Sequence, residues 1–249
     1  FIEGNKLNKL QESFKNCIEL IEKSPPSIER LTPDGGSIRS PSPYREQFHD
    51  DKIKISCTND PFKFEFGFLD LALDKYILDI IEGYIGKNFM LQQSTACRSY
   101  PLKKINYGSW QWHHDSWGRK VNVMILFSDL DENDQHASYL KGTHNLYHSY
   151  EKTIINDRFS EEELAKYGER ELVKCIGKAG TVFIFDANGI HSGNRTLGRI
   201  RDVLINQYTA GRYLWSFEIP KQFINLLSHE QLKFLNKNKN IKYIDEKII

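Results

Sequence analysis

The chain has 249 residues, with 34 Lys plus Arg against 33 Asp plus Glu and a formal net charge of +1 at pH 7. It therefore carries no global field to draw it to nucleic acid or to an anionic membrane. A mean hydropathy of −0.55 and the lack of any apolar run near the ~18 residues that a spanning helix needs exclude a transmembrane helix. Cys17, Cys57, Cys97 and Cys175 are scattered without a C-x-x-C pair, the usage expected of reduced thiols in a cytoplasmic protein. Phe1 in place of Met suggests a trimmed start, and no charged-then-apolar leader is visible.

Leu7, Leu10, Phe14, Cys17, Ile18 and Ile21 follow helical spacing, which predicts an amphipathic first helix. It should stop at Ser24-Pro25-Pro26, because proline lacks the N–H that a helix interior uses. Six of the 8 prolines fall between Pro25 and Pro61, together with Gly35-Gly36, so residues 24–60 read as a long loop of the kind that closes over a site. Leu69, Leu73, Ile77, Ile80, Ile81 and Tyr84 mark a second helix. Ser160 with Glu163, and Ser228 with Gln231, have capping-box spacing, in which each side chain satisfies a backbone N–H of the other.

Between these helices, β-rich runs cover residues 89–96, 109–115, 121–127, 138–140, 172–176, 181–185, 190–191 and 202–209. The pattern predicts a mainly β fold with flanking helices: a double-stranded β-helix, the jelly-roll, cupin-like barrel. One domain is expected over residues 1–249, with a helical and loop part at 1–88, the jelly-roll core at 89–213 and a helical extension at 214–249. No internal repeat interrupts it.

Trp112-His113-His114-Asp115 is followed by His191 and then by Arg201. In an extended strand residues i and i+2 project to the same side, so His113 and Asp115 point together and His114 points away. The pair alone carries little weight, since 8 His and 33 acidic residues in 249 positions give about one His-x-acid pair by chance. Its setting carries more, because His113 and His191 both lie at the ends of β-rich runs. Two imidazoles and one carboxylate on one face of a metal are the donor set of non-haem Fe(II) oxygenases, with further positions left open. Arg201 adds a planar guanidinium that can grip a carboxylate through two parallel hydrogen bonds.

Taken in order, Trp112-His113-His114-Asp115, Ser128-Asp129-Leu130-Asp131, Tyr139-Leu140-Lys141-Gly142-Thr143-His144, residues 177–185, and His191-Ser192-Gly193-Asn194-Arg195-Thr196 leading to Arg201 and Tyr208 resemble the phytanoyl-CoA dioxygenase family of Fe(II)/2-oxoglutarate oxygenases. The resemblance covers about residues 91–213. Lys141 stands where the family usually has Pro, and His136-Ala137-Ser138 replaces a Gly-containing stretch. The resemblance implies Fe(II) on His113, Asp115 and His191, O2 and 2-oxoglutarate as co-substrates, and the distal carboxylate of 2-oxoglutarate on Arg201. Asn122 and Thr196 are the further cofactor-side candidates, Thr196 by shaping the turn before Arg201. Met124, on the same strand face as Asn122, reads as core.

The implied reaction yields succinate and carbon dioxide and hydroxylates an aliphatic C–H bond of a small-molecule metabolite or biosynthetic intermediate. A carboxylate at position 115 leaves no room for halide, which favours hydroxylation over halogenation. Desaturation or epoxidation at the same iron, a cupin-type metal enzyme and a non-catalytic binding protein that do without 2-oxoglutarate are the alternatives. Arg98, Trp117 and Arg45 are candidates for substrate contact, Arg45 lying in the proline-rich stretch with Arg39 and Tyr44; such charges otherwise form a solvated face. His144 is expected to order a turn, and His49, His136, His148 and His229 to lie exposed in loops or helix starts. Neither nucleic acid nor membrane is expected as a partner, and the sequence does not fix the number of subunits.

Overall fold

Helix α1 (Gly4–Lys23) buries Leu10, Phe14, Cys17, Ile18 and Ile21, the face that the helical spacing marks, and stops before Ser24. In the computed structural model, described over residues 2–23, 27–31, 37–39, 46–48, 55–59, 61–101, 111–115, 119–144, 158–167, 170–193, 198–210, 217–238 and 241–245, α1 is followed by β1 (Ser27–Leu31), β2 (Ser37–Arg39), β3 (Glu46–Phe48), β4 (Ile55–Thr58), α2 (Phe66–Ala72) and α3 (Lys75–Ile85). Next come β5 (Met90–Ser99), β6 (Trp112–His113), β7 (Lys120–Leu126), β8 (Ala137–Leu140), β9 (Arg158–Phe159) and α4 (Glu161–Ala165). The chain continues through β10 (Leu172–Cys175), β11 (Val182–Asp186), β12 (His191–Gly193) and β13 (Arg201–Thr209). Last are β14 (Phe217–Pro220), α5 (Lys221–Ile224), α6 (His229–Leu235) and β15 (Ile241–Ile244).

Two five-stranded antiparallel sheets, ordered β11-β7-β13-β5-β4 and β10-β8-β12-β6-β9, form the jelly roll. Strand β7 is buried along its whole length because both its faces are covered. Val121, Val123 and Ile125 join the large core shared with the helices. Met124 and Leu126 turn into the barrel, where they meet Cys175 of the opposite sheet. Helix α1 seals the outer face: the Phe14 ring lies 5.0 Å from that of Phe127, and Gln11 Nε2 donates to Phe127 O at 2.8 Å. Each such fully buried apolar side chain contributes about 1.5–3 kcal/mol. Both capping boxes form, at Ser160 and at Ser228. Among the described residues no helix is long and apolar enough to cross a membrane.

Four expectations are corrected. The second helix is two, because Asp74 Oδ1 accepts from Ile77 N at 3.1 Å and starts α3 afresh; Ile80 and Tyr84 stay 40% and 51% exposed. Residues 24–60 are not all loop: β1 pairs antiparallel with β2 and parallel with β3, and β4 joins β5. Runs of 3 to 5 residues between prolines and glycines are too short to show a strand period. The helical extension also holds a parallel pair, β14 with β15. Cys57 and Cys97, 40 residues apart in sequence, stand opposite each other across β4 and β5 and form a disulfide, so only Cys17 and Cys175 are free.

Candidate active site

Antiparallel pairing of β12 with β6 sets His191 directly opposite His113, with ring centroids 4.3 Å apart. Asp115 lies just past the end of β6, where its N–H donates to Ala187 O at 2.9 Å and folds the carboxylate back toward the pair. Its Oδ1 sits 3.3 Å from His113 Nε2 and 3.4 Å from His191 Nε2. Nδ1 of each ring meets a backbone carbonyl two residues earlier, Gln111 O at 2.8 Å and Gly189 O at 2.9 Å. A carbonyl only accepts, so each ring holds its proton on Nδ1 and turns a bare Nε2 inward. All three donor atoms lie within 4.8 Å of one another: two imidazole nitrogens and one carboxylate oxygen, a donor set that fits a divalent iron. His114 faces away, fully buried, its ring 6.1 Å from that of Phe159.

Burial opposes the charge of Asp115, but Lys120 and both imidazoles outweigh it and hold the carboxyl well below the usual range. Burial pushes His113 down, and the neighbouring His191 adds to this. His191 moves up despite its burial, because Asp115 outweighs desolvation. The site thus concentrates one negative charge where a cation would sit. The outer oxygen of Asp115, Oδ2, accepts from Asn122 Nδ2 at 2.9 Å and from Lys120 Nζ at 3.4 Å.

His191 is fixed from behind. The Tyr139 ring stacks on it at 6.5 Å and 18°, and Tyr139 Oη donates to Asp186 O at 3.1 Å. A Cβ at Gly189 would overlap that hydroxyl and ring, so only glycine admits both Tyr139 and the carbonyl that holds His191. Thr143, in the Gly142-Thr143-His144 turn, accepts from Ile190 N at 2.8 Å and donates to Leu140 O at 2.6 Å.

Arg201 opens β13, is 4% exposed, and its Nε has no hydrogen-bond partner among the described residues. Burial pushes its pKa down to about 10, so it is still charged at neutral pH. A buried guanidinium without a counter-ion is costly, and its presence fits a site for an anion. Its charge acts on Cys175 and on His136. Arg199 is already engaged, with Nη2 2.8 Å from Asp131 Oδ2 and Nε 3.0 Å from Asp134 Oδ2.

The family model of phytanoyl-CoA dioxygenase matches residues 45–202, well over half the chain and inclusive of the triad and Arg201. The chain belongs to the phytanoyl-CoA dioxygenase family. It is thereby an Fe(II)/2-oxoglutarate-dependent oxygenase. No curated protein matches it. Among solved structures it is similar to the non-haem alpha-ketoglutarate-dependent epimerase SnoN of nogalamycin biosynthesis (TM-score 0.59, 13% identity, 84% of this chain and 75% of that one). It is similar to EctD from S. alaskensis, solved with 2-oxoglutarate and 5-hydroxyectoine (TM-score 0.57, 16% identity, 84% and 69%). It is also similar to the carbocyclase SnoK of nogalamycin biosynthesis (TM-score 0.55, 13% identity, 84% and 76%). At such identities the likeness is one of fold.

Against this family background, the other residues suggested by sequence fall into four groups. Asn122 is brought to Asp115. Arg98 is held by Asp202 through two bonds, Nε to Oδ1 at 2.7 Å and Nη2 to Oδ2 at 2.6 Å, which commits the guanidinium within the sheet rather than offering it to a substrate. Thr196, Trp117, Arg45, Asn194, Tyr44, His49 and His148 lie outside the described residues, as does the side chain of Arg39. His136 is buried, not exposed, with Nδ1 3.2 Å from Ser138 Oγ. Sequence reasoning missed Lys120, whose signal was a cation two residues before Asn122 on one strand face, and Tyr139, whose role depends on a cross-strand neighbour.

Proposed function

We propose that the chain is a single-domain Fe(II)/2-oxoglutarate dioxygenase in which His113, Asp115 and His191 hold the metal, Arg201 grips the distal carboxylate of 2-oxoglutarate, and an aliphatic C–H bond of a small molecule is hydroxylated. The observation that carries the reading is the convergence of two bare Nε2 atoms on one oxygen of Asp115, with each Nδ1 tied to a carbonyl. The unpartnered Nε of buried Arg201 supports it separately. A core that runs without a break from Ile2 to Leu235 supports the single domain.

When bound, iron with 2-oxoglutarate and O2 supplies the oxidation of an unactivated C–H bond, releasing succinate and carbon dioxide. The side chains do the positioning. Asn122 and Lys120 occupy Asp115 Oδ2, so Asp115 would hold a metal through its other oxygen, Oδ1. Gln111 O and Gly189 O hold each ring by its Nδ1 and aim Nε2 at the site. Arg201 fixes the co-substrate by its far end. Met124, Leu126 and Val203, with Phe183 and Phe185 packed against them, exclude water from the barrel interior. A carboxylate at position 115 would take the place a halide would need on a bound metal, which favours oxygen transfer.

Succinate formed from 2-oxoglutarate only when Fe(II) is present, with one atom of 18O2 recovered in succinate and one in the product, tests both parts. His113→Ala, Asp115→Ala and His191→Ala should lose bound iron, and His114→Ala should keep it. Loss of iron in His114→Ala with retention in His113→Ala overturns the ligand assignment.

A further inference from the structure

The pairing of β13 with β5 runs Gln207 to Gln93 and then Tyr208 to Leu91, so Gln92 is an extra residue in β5. Leu91 packs in the helix-side core, and Ser94 Oγ on the same face donates to buried Asn206 Oδ1 at 2.7 Å. Two same-face residues three positions apart require that Gln92 and Gln93 share the inner face, as a β-bulge allows. Gln207, alternating with the outward Leu204, Asn206 and Tyr208, stands between Gln93 and Asn122 in register.

A row of carboxamides therefore crosses three strands inside the barrel: Asn122, Gln207, Gln93 and Gln92. Its far end is extended by Asn59, whose Oδ1 accepts from Gln93 Nε2 and from Thr95 Oγ1, both at 2.9 Å. Its near end is Asn122, bonded to Asp115. Among the described residues Asn122 Oδ1 is buried and has no partner, and the half-buried side chain of Gln207 makes no hydrogen bond. The cation that adjoins the row, Lys120, is turned to a carboxylate, that of Asp115.

Building on the iron-site reading above, we infer that this row recognises the substrate, and that the substrate is uncharged and rich in hydroxyl or amide groups, a sugar- or cyclitol-like molecule rather than a fatty-acyl thioester. An apolar chain laid along the row would leave Asn122 Oδ1 and the Gln207 carboxamide desolvated and unpaired, whereas hydroxyls satisfy donor and acceptor alike. Sites built to hydrogen-bond reject analogues that cannot.

The test uses the full chain loaded with redox-inert Ni(II) and 2-oxoglutarate, titrated by calorimetry with myo-inositol, N-acetylglucosamine and maltose, and with decanoyl-coenzyme A. At least one neutral polyol should bind, decanoyl-coenzyme A should not, and Gln207→Leu should weaken polyol binding by about tenfold through lost hydrogen bonds. Gln93→Leu, on the next strand, serves where the melting temperature shows Gln207→Leu to be unfolded. Three results overturn the inference: no polyol binding, decanoyl-coenzyme A binding at or above polyol affinity, or polyol affinity unchanged in the variants. Iron-dependent succinate formation by the wild type separates the two readings. Succinate without polyol binding overturns the substrate class alone, and loss of both metal binding and 2-oxoglutarate turnover overturns the iron site beneath it.

Discussion

Asn122 Nδ2 donates to Asp115 Oδ2 at 2.9 Å, on the opposite side of the carboxylate from the two imidazoles. That contact sets the rotation of the carboxylate and hence which oxygen faces His113 and His191. Groups that orient a metal ligand in this way are worth about 10–100-fold in metal affinity. Asn122→Leu, close in volume but without the donor, should weaken Co(II) binding by that order in an absorbance titration, with the protein still folded. Unchanged affinity would show that Lys120, at 3.4 Å, suffices alone.

Arg201 carries a trade between stability and binding. Its guanidinium is desolvated and has no counter-ion among the described residues, so the protein without co-substrate holds a buried charge that hydrophobic replacement would relieve. Arg201→Met should raise the melting temperature of the metal-free protein. The same variant should bind 2-oxoglutarate about tenfold to a hundredfold more weakly, from the roughly 1.5–3 kcal/mol of a charge-assisted contact. Added 2-oxoglutarate should raise the melting temperature of the iron-loaded wild type and not of the variant. A variant that melts lower yet binds equally well would refute the assignment.

The legible part of the site was the part that strand period and chain order encode. His113 and Asp115 at i and i+2, His191 after an apolar strand and Arg201 at the head of another need only local geometry, and the strands of the barrel other than the edge strands β4 and β9 lie close to the β-rich runs. What could not be read depends on which strands become neighbours. Cys57 meets Cys97 only through the β4–β5 register, and the carboxamide row exists only once β7, β13 and β5 lie side by side. Arg98 reads as a free cation until Asp202 falls opposite it. The break before α3 was missed because Asp74 acts as an N-cap, a role its place within an apolar helical spacing conceals.

Gly189 gives a steric test of the His191 mount. Its carbonyl holds His191 Nδ1, and a Cβ there would overlap the Tyr139 ring. Tyr139 cannot retreat freely, because its hydroxyl is bonded to Asp186 O and its face lies on His191. Gly189→Ala should therefore displace His191 and lower iron occupancy by about tenfold or more, in the range of other losses of ligand support. Tyr139→Ala added to Gly189→Ala removes the overlap and should recover part of the occupancy. Equal iron content in wild type and Gly189→Ala, measured by metal analysis after dialysis, would refute the argument.

Asp134 links the entry of β13 to pH. Its buried carboxylate is held below the usual range first by the Arg199 side chain, then by the backbone N–H groups of Arg199 and Asp131, which together outweigh desolvation. Arg199 N donates to Asp134 Oδ1 at 2.8 Å, and Arg199 O accepts from Gln135 Nε2 at 2.6 Å, so this knot fixes the backbone two residues before Arg201. An acid whose folded pKa lies below its unfolded value near 3.9 stabilises the fold fully above that value, and the contribution fades as pH falls through it toward the folded value. Urea midpoints of wild type and Asp134→Asn should thus differ most at pH 6 and converge toward pH 3. Because the knot positions Arg201, Asp134→Asn should also bind 2-oxoglutarate several-fold more weakly at neutral pH. Parallel midpoint curves from pH 6 to pH 3 would assign the acid sensitivity to other carboxylates and leave Asp134 a neutral hydrogen-bond acceptor.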